Sequence, residues 1–176
     1  EHPARFPVTD AWRLESRRLL GKPAPTFSGT DIFGDTIEFQ SYRGKMAAVV
    51  IFFGPDDETS FDSVQSFNDL YVTYQRWVKF VGVMHGPIEA AGRLYQRTQT
   101  SFPIVPDPQG KAVRAYGAKR AVFTALVDRH GVVIKTFPGY SKGVCQEIAA
   151  WCQSFSEGHP EDLRFESAPK VETAGS

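Results

Sequence analysis

The sequence predicts an α/β fold, with a mixed central sheet covered by helices on both faces. Two apolar segments of strand length, "MAAVVIFF" at 46–53 and "VKFVGVMHG" at 78–86, are typical of strands that are buried on both sides. Between them, residues 58–76 repeat apolar side chains at helical spacing. A strand, a helix and a second strand in this order predict a crossover that lays the helix over the sheet.

Shorter signals predict the other elements. A turn precedes the first strand, Pro87 opens the second helix, and the turn "DRHG" joins the last two strands as a hairpin. The proline-rich stretch at 102–110 predicts an extended connection. The predicted elements are, in order, strand 35–39, strand 46–53, helix 58–76, strand 78–86, helix 87–99, helix 111–118, strand 120–128, strand 132–139 and helix 141–155.

Length and composition fit one domain with extensions. The chain has 176 residues, of which 41% are apolar, and 20 basic residues balance 20 acidic ones, which argues against a nucleic-acid partner. The longest apolar run, 46–53, is far shorter than the roughly 20 residues that a membrane helix needs. We predict an N-terminal extension at 1–19, a domain at 20–155 and a flexible C-terminal tail at 156–176, which is rich in Ser, Glu, Pro and Gly.

Three stretches resemble one known family. These are "LGKPAPTFSGTDIFGDTIEFQSYRGK" at 20–45, "DPQGKAVRAYGA" at 107–118 and "ALVDRHGVVIKTFPGY" at 125–140. In this order and spacing they resemble thioredoxin-like proteins of the redoxin, or alkyl-hydroperoxide-reductase-type, branch. That branch includes peroxiredoxins and membrane-tethered periplasmic thiol oxidoreductases. The resemblance covers about 20–155 and implies a thioredoxin-like fold.

The resemblance also implies a site at the turn after strand 46–53. Oxidoreductases of the family carry Cys-x-x-Cys there, where a helix start stabilises a thiolate. The matching positions in this chain are Asp57 and Ser60, and residues 46–144 contain no cysteine. A peroxidase alignment places Glu58 and Phe61 at the family's Thr and Cys. The family's cis-proline position falls at Val122 or a neighbour.

The acidic residues of this turn have two interpretations. Carboxylates and hydroxyls suit the positive end of a helix, so that Asp56 or Asp57 is expected to cap it. Alternatively, the acids form a negative patch for a partner with a basic surface, because 46–75 contains no Lys, Arg or His. The turn and groove residues that could contact a partner are Pro55, Asp56, Asp57, Glu58, Thr59, Ser60 and Val122.

Other chemistry finds little support. Cys145 and Cys152 lie seven residues apart on a predicted helix, about 10 Å along its axis, which is too far for a disulfide between them. The four histidines are scattered without a cysteine at ligand spacing, so we expect no metal and no cofactor. Among them, His85 is predicted near the family's groove and His130 in a hairpin turn.

The missing cysteines favour a non-catalytic protein that acts as a binding or assembly subunit of a larger complex. One alternative is a thiol–disulfide or peroxide oxidoreductase that uses Cys145 or Cys152. Another is a chaperone-like protein that holds extended peptides in the groove beside Val122. The resemblance favours a periplasmic, extracytoplasmic or organellar location after removal of a targeting signal.

Overall fold

The computed structural model describes residues 6–156 and 163–175. Its centre is a five-stranded sheet with the order β6-β5-β4-β7-β8. The strands are β4 (Ala47–Phe53), β5 (Val78–His85), β6 (Ile104–Asp107), β7 (Phe123–Val127) and β8 (Val133–Phe137). Strands β4, β5 and β6 run parallel, and β7 and β8 continue the sheet antiparallel. The predicted mixed sheet is therefore confirmed.

Helices cover both faces of this sheet, as the sequence predicts. The helices are α1 (Asp10–Ser16), α2 (Glu58–Tyr74), α3 (Ile88–Thr98), α4 (Lys111–Tyr116) and α5 (Lys142–Gln153). Side chains of α2, α3 and α5 share one core with one face of β4, and α4 contributes to the core on the opposite face. A short hairpin of β2 (Ser28–Thr30) and β3 (Thr36–Glu38) adds Ile37 to that second core.

Strand β4 supplies both cores because successive side chains of a strand point to opposite faces. Val49, Ile51 and Phe53 lie in the core shared with α2, and Val50 and Phe52 lie in the other. All seven residues of β4 are buried. This double burial explains the uninterrupted apolar run, and it fixes where the strand ends and the following turn begins.

Strand β6 refines the prediction of an extended, proline-broken connection at 102–110. Ile104 to Asp107 pair in parallel with β5, and β6 lies at the edge of the sheet. An edge strand tolerates Pro106 because one side of the strand needs no ladder donor. The prolines therefore limit the strand to four residues without preventing it.

The two ends of the described chain meet. Strand β1 (Phe6–Pro7) pairs antiparallel with strand β9 (Thr173–Ala174). Helix α1 follows β1 with Thr9 as its N-cap, and Arg120 lies over the rings of both Phe6 and Trp12. The sequence predicts an N-terminal extension but no contact between it and the C-terminal segment.

The C-terminal segment is packed where the structure describes it. Phe165, Ala168 and Ala174 are buried, although the composition of 156–176 predicts a flexible tail. Parts of both predicted extensions, 1–5 and 157–162 with residue 176, lie outside the described residues. Within 6–156 and 163–175, no helix is long and apolar enough to cross a membrane.

The packing around β5 can be tested with two matched glycine substitutions. A Cβ on Gly82 would lie 2.9 Å from Ile104 Cγ1 and 3.0 Å from Phe53 Cε2. Gly82→Ala should therefore lower the free energy of unfolding by about 1–3 kcal/mol in urea denaturation. The control Gly92→Ala adds the same methyl group to α3, where it has no neighbour within 4 Å. This control should raise the free energy of unfolding by up to about 1 kcal/mol. Equal effects of the two variants would contradict the packing.

Candidate functional site

A closed hydrogen-bond network joins the end of β4 to the start of α2. Asp57 is the N-cap of α2, and its carboxylate accepts bonds from the Ser60 N–H (2.9 Å) and the Ser60 hydroxyl (2.8 Å). The Ser60 hydroxyl in turn accepts a bond from the Gly54 N–H at 2.9 Å. Asp57 and Ser60 are both buried, so the turn is held from inside. The predicted acidic cap is confirmed, with Asp57 in that role.

The neighbouring acids pair with arginines of α3. Asp56 accepts two hydrogen bonds from Arg93, and Glu58 accepts two from Arg97. The hydrogen bond from Arg93 lowers the pKa of Asp56 below its ordinary value. Arginines of α3, which lie outside 46–75, therefore neutralise two acids of the expected negative patch, and a partner with a basic surface stays a prediction.

The backbone at Ala121–Val122 faces this turn. The peptide bond between these residues is cis, and Val122 is fully buried. The Ala121 carbonyl accepts a hydrogen bond from the Gly175 N–H. Gly175 also lies against Asp57, so closely that a Cβ on Gly175 would overlap the Asp57 carboxylate. The structure thus brings Asp57 and the Ala121–Val122 peptide together around one residue of the C-terminal segment.

The C-terminal segment lies in the groove as an extended chain. Tyr140 and Thr173 exchange two backbone hydrogen bonds, of 2.7 and 3.0 Å, on the approach to Gly175. Sequence reasoning located Val122 and the turn but missed this segment. Its composition carries no strand signal, and its partners are distant in the chain. The glycine at 175 is the one feature that suits a close backbone approach.

A small cavity continues beside the turn. It has a volume of about 60 Å³, and its lining includes Gly54, Pro55, His85, Lys119 and Ala121. His85 therefore does lie beside the groove, as predicted. His130 lies in the turn between β7 and β8, where its backbone N–H donates a hydrogen bond to the Asp128 carboxylate. Within the described part of the chain, no three His, Cys, Asp or Glu side chains form a group that could hold a metal ion.

The two cysteines lie in α5 and not in the turn. Both are free and buried in the core shared by α2, α3 and α5. Burial raises the pKa of each thiol to about 12. A thiol becomes a nucleophile when it loses its proton, so both are poorly suited to reaction in the folded protein.

These features define a thioredoxin-like protein with an extended segment in the groove beside its central turn. A family model described as the AhpC/TSA family matches residues 20–136, more than half of the chain. The chain therefore belongs to the AhpC/TSA family, and the resemblance noted in the sequence is confirmed at that level.

The similar curated proteins share one name. Thiol-disulfide oxidoreductase ResA of Geobacillus thermodenitrificans is 31% identical over 122 residues, which are 68% of this chain and 70% of ResA. ResA of Bacillus thuringiensis is 26% identical over 127 residues, which are 71% of this chain and 73% of that protein.

Solved structures support the fold. A candidate thiol:disulfide interchange protein DsbE from Chlorobium tepidum superposes with a TM-score of 0.70 at 20% identity, covering 77% of this chain and 96% of that one. A secreted Mycobacterium tuberculosis disulfide oxidoreductase gives a TM-score of 0.62 at 16% identity, and the match covers 73% of this chain and 95% of that one. The predicted thioredoxin-like fold is confirmed.

The expectation of a non-catalytic assembly subunit is wrong as a functional class. The similar curated proteins are named thiol-disulfide oxidoreductases, which supports the redox alternative. The expectation treated the absence of cysteines at one turn as a positive sign of a different role. That absence does not by itself indicate a different role, and the thioredoxin-like fold is present in this chain.

The hydrogen-bond network at the turn generates one prediction. Asp57→Ala removes the acceptor of both Ser60 bonds and should lower the free energy of unfolding by about 1–2 kcal/mol in urea denaturation. Asp57→Ser keeps a side-chain oxygen at the cap and should recover most of the loss. If the alanine variant were as stable as the unchanged protein, the network would not hold the turn.

The cysteines generate a second prediction. With a pKa of about 12, the folded thiols should react with iodoacetamide at pH 8 at least a hundredfold more slowly than in urea-unfolded protein. Mass spectrometry of Cys145 and Cys152 after timed quenching measures each rate. Rapid alkylation of either thiol in the folded chain would show that it is accessible and ionised.

Proposed function

We propose that this protein acts in thiol–disulfide chemistry on extended polypeptides, which it holds in the groove between Asp57 and Ala121. The names of the similar curated proteins support the chemistry. The geometry supports the kind of substrate, because an extended segment of the chain itself already fits the groove. We also propose a location outside the cytoplasm, in keeping with the secreted oxidoreductase among the structural neighbours.

The hydrogen bond from the Gly175 N–H to the Ala121 carbonyl carries this proposal. A carbonyl that accepts from an extended segment recognises backbone rather than side chains, as in the addition of a strand to a sheet edge. Tyr140 extends the same recognition with its two backbone bonds to Thr173. The groove therefore binds polypeptides through their backbone, and beside Asp57 it accepts a glycine, because a Cβ at that point would overlap the carboxylate.

The turn supplies a carboxylate and a hydroxyl, not a thiol. We assign Asp57 and Ser60 to the two cysteine positions of the family's oxidoreductases, so this chain is a member without the usual active-site cysteines. The sulfur atoms then come from the bound polypeptide. One of its thiolates attacks one of its disulfides, a new S–S bond forms, and the displaced sulfur leaves as a thiolate. This exchange consumes no oxidant or reductant.

A second candidate keeps the sulfur chemistry inside the chain. Cys145 and Cys152 are free thiols in a protein whose relatives are named oxidoreductases. Each would attack a polypeptide disulfide as a thiolate, forming a mixed disulfide and releasing one polypeptide sulfur. Their burial and raised pKa mean that this route requires α5 to open first.

One experiment separates the two candidates. The substrate is disulfide-scrambled ribonuclease A with one disulfide reduced, which provides its own thiol. The full chain should accelerate recovery of ribonuclease activity a few-fold by holding the polypeptide extended. The variant Cys145→Ala with Cys152→Ala should retain that acceleration.

Loss of acceleration in the double variant would show that the chain's own thiols carry out the exchange, and would support the second candidate. No acceleration by either protein would overturn the proposed function. Thermal unfolding of the double variant provides the control for its fold, because removing a buried sulfur costs stability.

A further inference from the structure

The segment Glu172–Gly175, which we call the strap, is attached at each of its residues. Glu172 forms an ion pair with Arg13 of α1, and Thr173 pairs with both Tyr140 and Pro7. Gly175 donates to the Ala121 carbonyl. The strap thus crosses from the N-terminal extension to the central turn and covers the backbone that the proposed function needs.

The end of the strap fits its position closely. A Cβ on Gly175 would overlap the Asp57 carboxylate, so the close approach to the turn requires glycine at this point. Gly175 and the neighbouring Ala174 are both buried. The two smallest residue types therefore lie where the strap enters the groove, and the contact is a fitted one.

The strap is also held weakly enough to leave. Strands β1 and β9 pair over two residues each, and the Arg13 side chain of the ion pair is 44% exposed. Thr173 Oγ1 is buried and has no hydrogen-bond partner among the described residues. An unsatisfied buried hydroxyl opposes the bound position, because water would satisfy it once the strap is released.

We infer that the strap is an intramolecular occupant of the polypeptide groove, which it closes until a polypeptide displaces it. This inference rests on the proposed function of the groove. The backbone groups of Ala121 and Tyr140 that bind the strap are those that would bind a polypeptide, so the two occupants exclude each other. The apparent affinity for a polypeptide is then lowered by the fraction of molecules in which the strap is bound.

Two substitutions in the full-length chain release the strap by different means. Thr173→Pro removes the N–H that donates to the Tyr140 carbonyl at 3.0 Å. Gly175→Ala introduces the Cβ that overlaps Asp57. Gly92→Ala is the matched control, since it adds the same methyl to α3 with no neighbour within 4 Å.

The binding probe is α-lactalbumin whose disulfides have been reduced and whose thiols have been S-carbamidomethylated. This polypeptide stays unfolded and cannot exchange disulfides. Each release variant should bind it about three- to tenfold more tightly than the unchanged protein, since each loses roughly one net hydrogen bond of strap binding. Gly92→Ala should bind as the unchanged protein does. Bound probe should shift the Ala121 and Val122 NMR signals and speed amide exchange at Thr173 and Gly175.

Equal probe affinity in all four proteins, with shifts at Ala121 and Val122, would overturn the strap inference and leave the proposed function intact. The same holds if bound probe leaves the Gly175 amide as protected as before. Failure of the probe to bind any of the four proteins, or binding that leaves Ala121 and Val122 unshifted, would overturn the proposed function itself.

Discussion

The Asp57 carboxylate is the point at which the central strand, the second helix and the C-terminal segment meet. It caps α2, holds Ser60 through two bonds, and through Ser60 fixes the Gly54 N–H at the end of β4. Its outer side sets how closely Gly175 can approach. Because one group sets both the turn and the closest approach of Gly175, the position of the proposed polypeptide site follows from the cap.

This arrangement shows how the start of α2 is held by a carboxylate. The start of a helix offers unpaired N–H groups and a partial positive charge, and it stabilises any suitable anion. The Asp57 carboxylate meets that requirement at the start of α2. Under the proposed function, the sulfur comes from the polypeptide held at Ala121.

The core elements could be predicted because their signals are local. The doubly buried strand β4 appears as an unbroken apolar run, and α2 as a helical repeat. The edge strand β6 could not be recognised because its prolines mask a strand that is only four residues long. The thioredoxin-like fold followed from the order of the elements together with three motifs.

The site could be predicted only in part, since much of it depends on residues far apart in the chain. The cap at Asp57 involves a partner three residues away, whereas Arg93 and Arg97 pair with acids 37 and 39 residues earlier. The bond between Gly175 and Ala121 joins two segments with no shared pattern. The functional class was predicted wrongly because only the turn was considered. A missing cysteine in the turn says nothing about what the rest of the groove binds.

The most direct test of this account is the hydrogen bond between Gly175 and Ala121. In deuterated, ¹³C,¹⁵N-labelled full-length protein, scalar coupling across a hydrogen bond can be detected between an amide nitrogen and the carbonyl carbon that accepts from it. We expect a measurable coupling from the Gly175 nitrogen to the Ala121 carbonyl carbon. No coupling, with fast amide exchange at Gly175, would show that the segment does not occupy the groove.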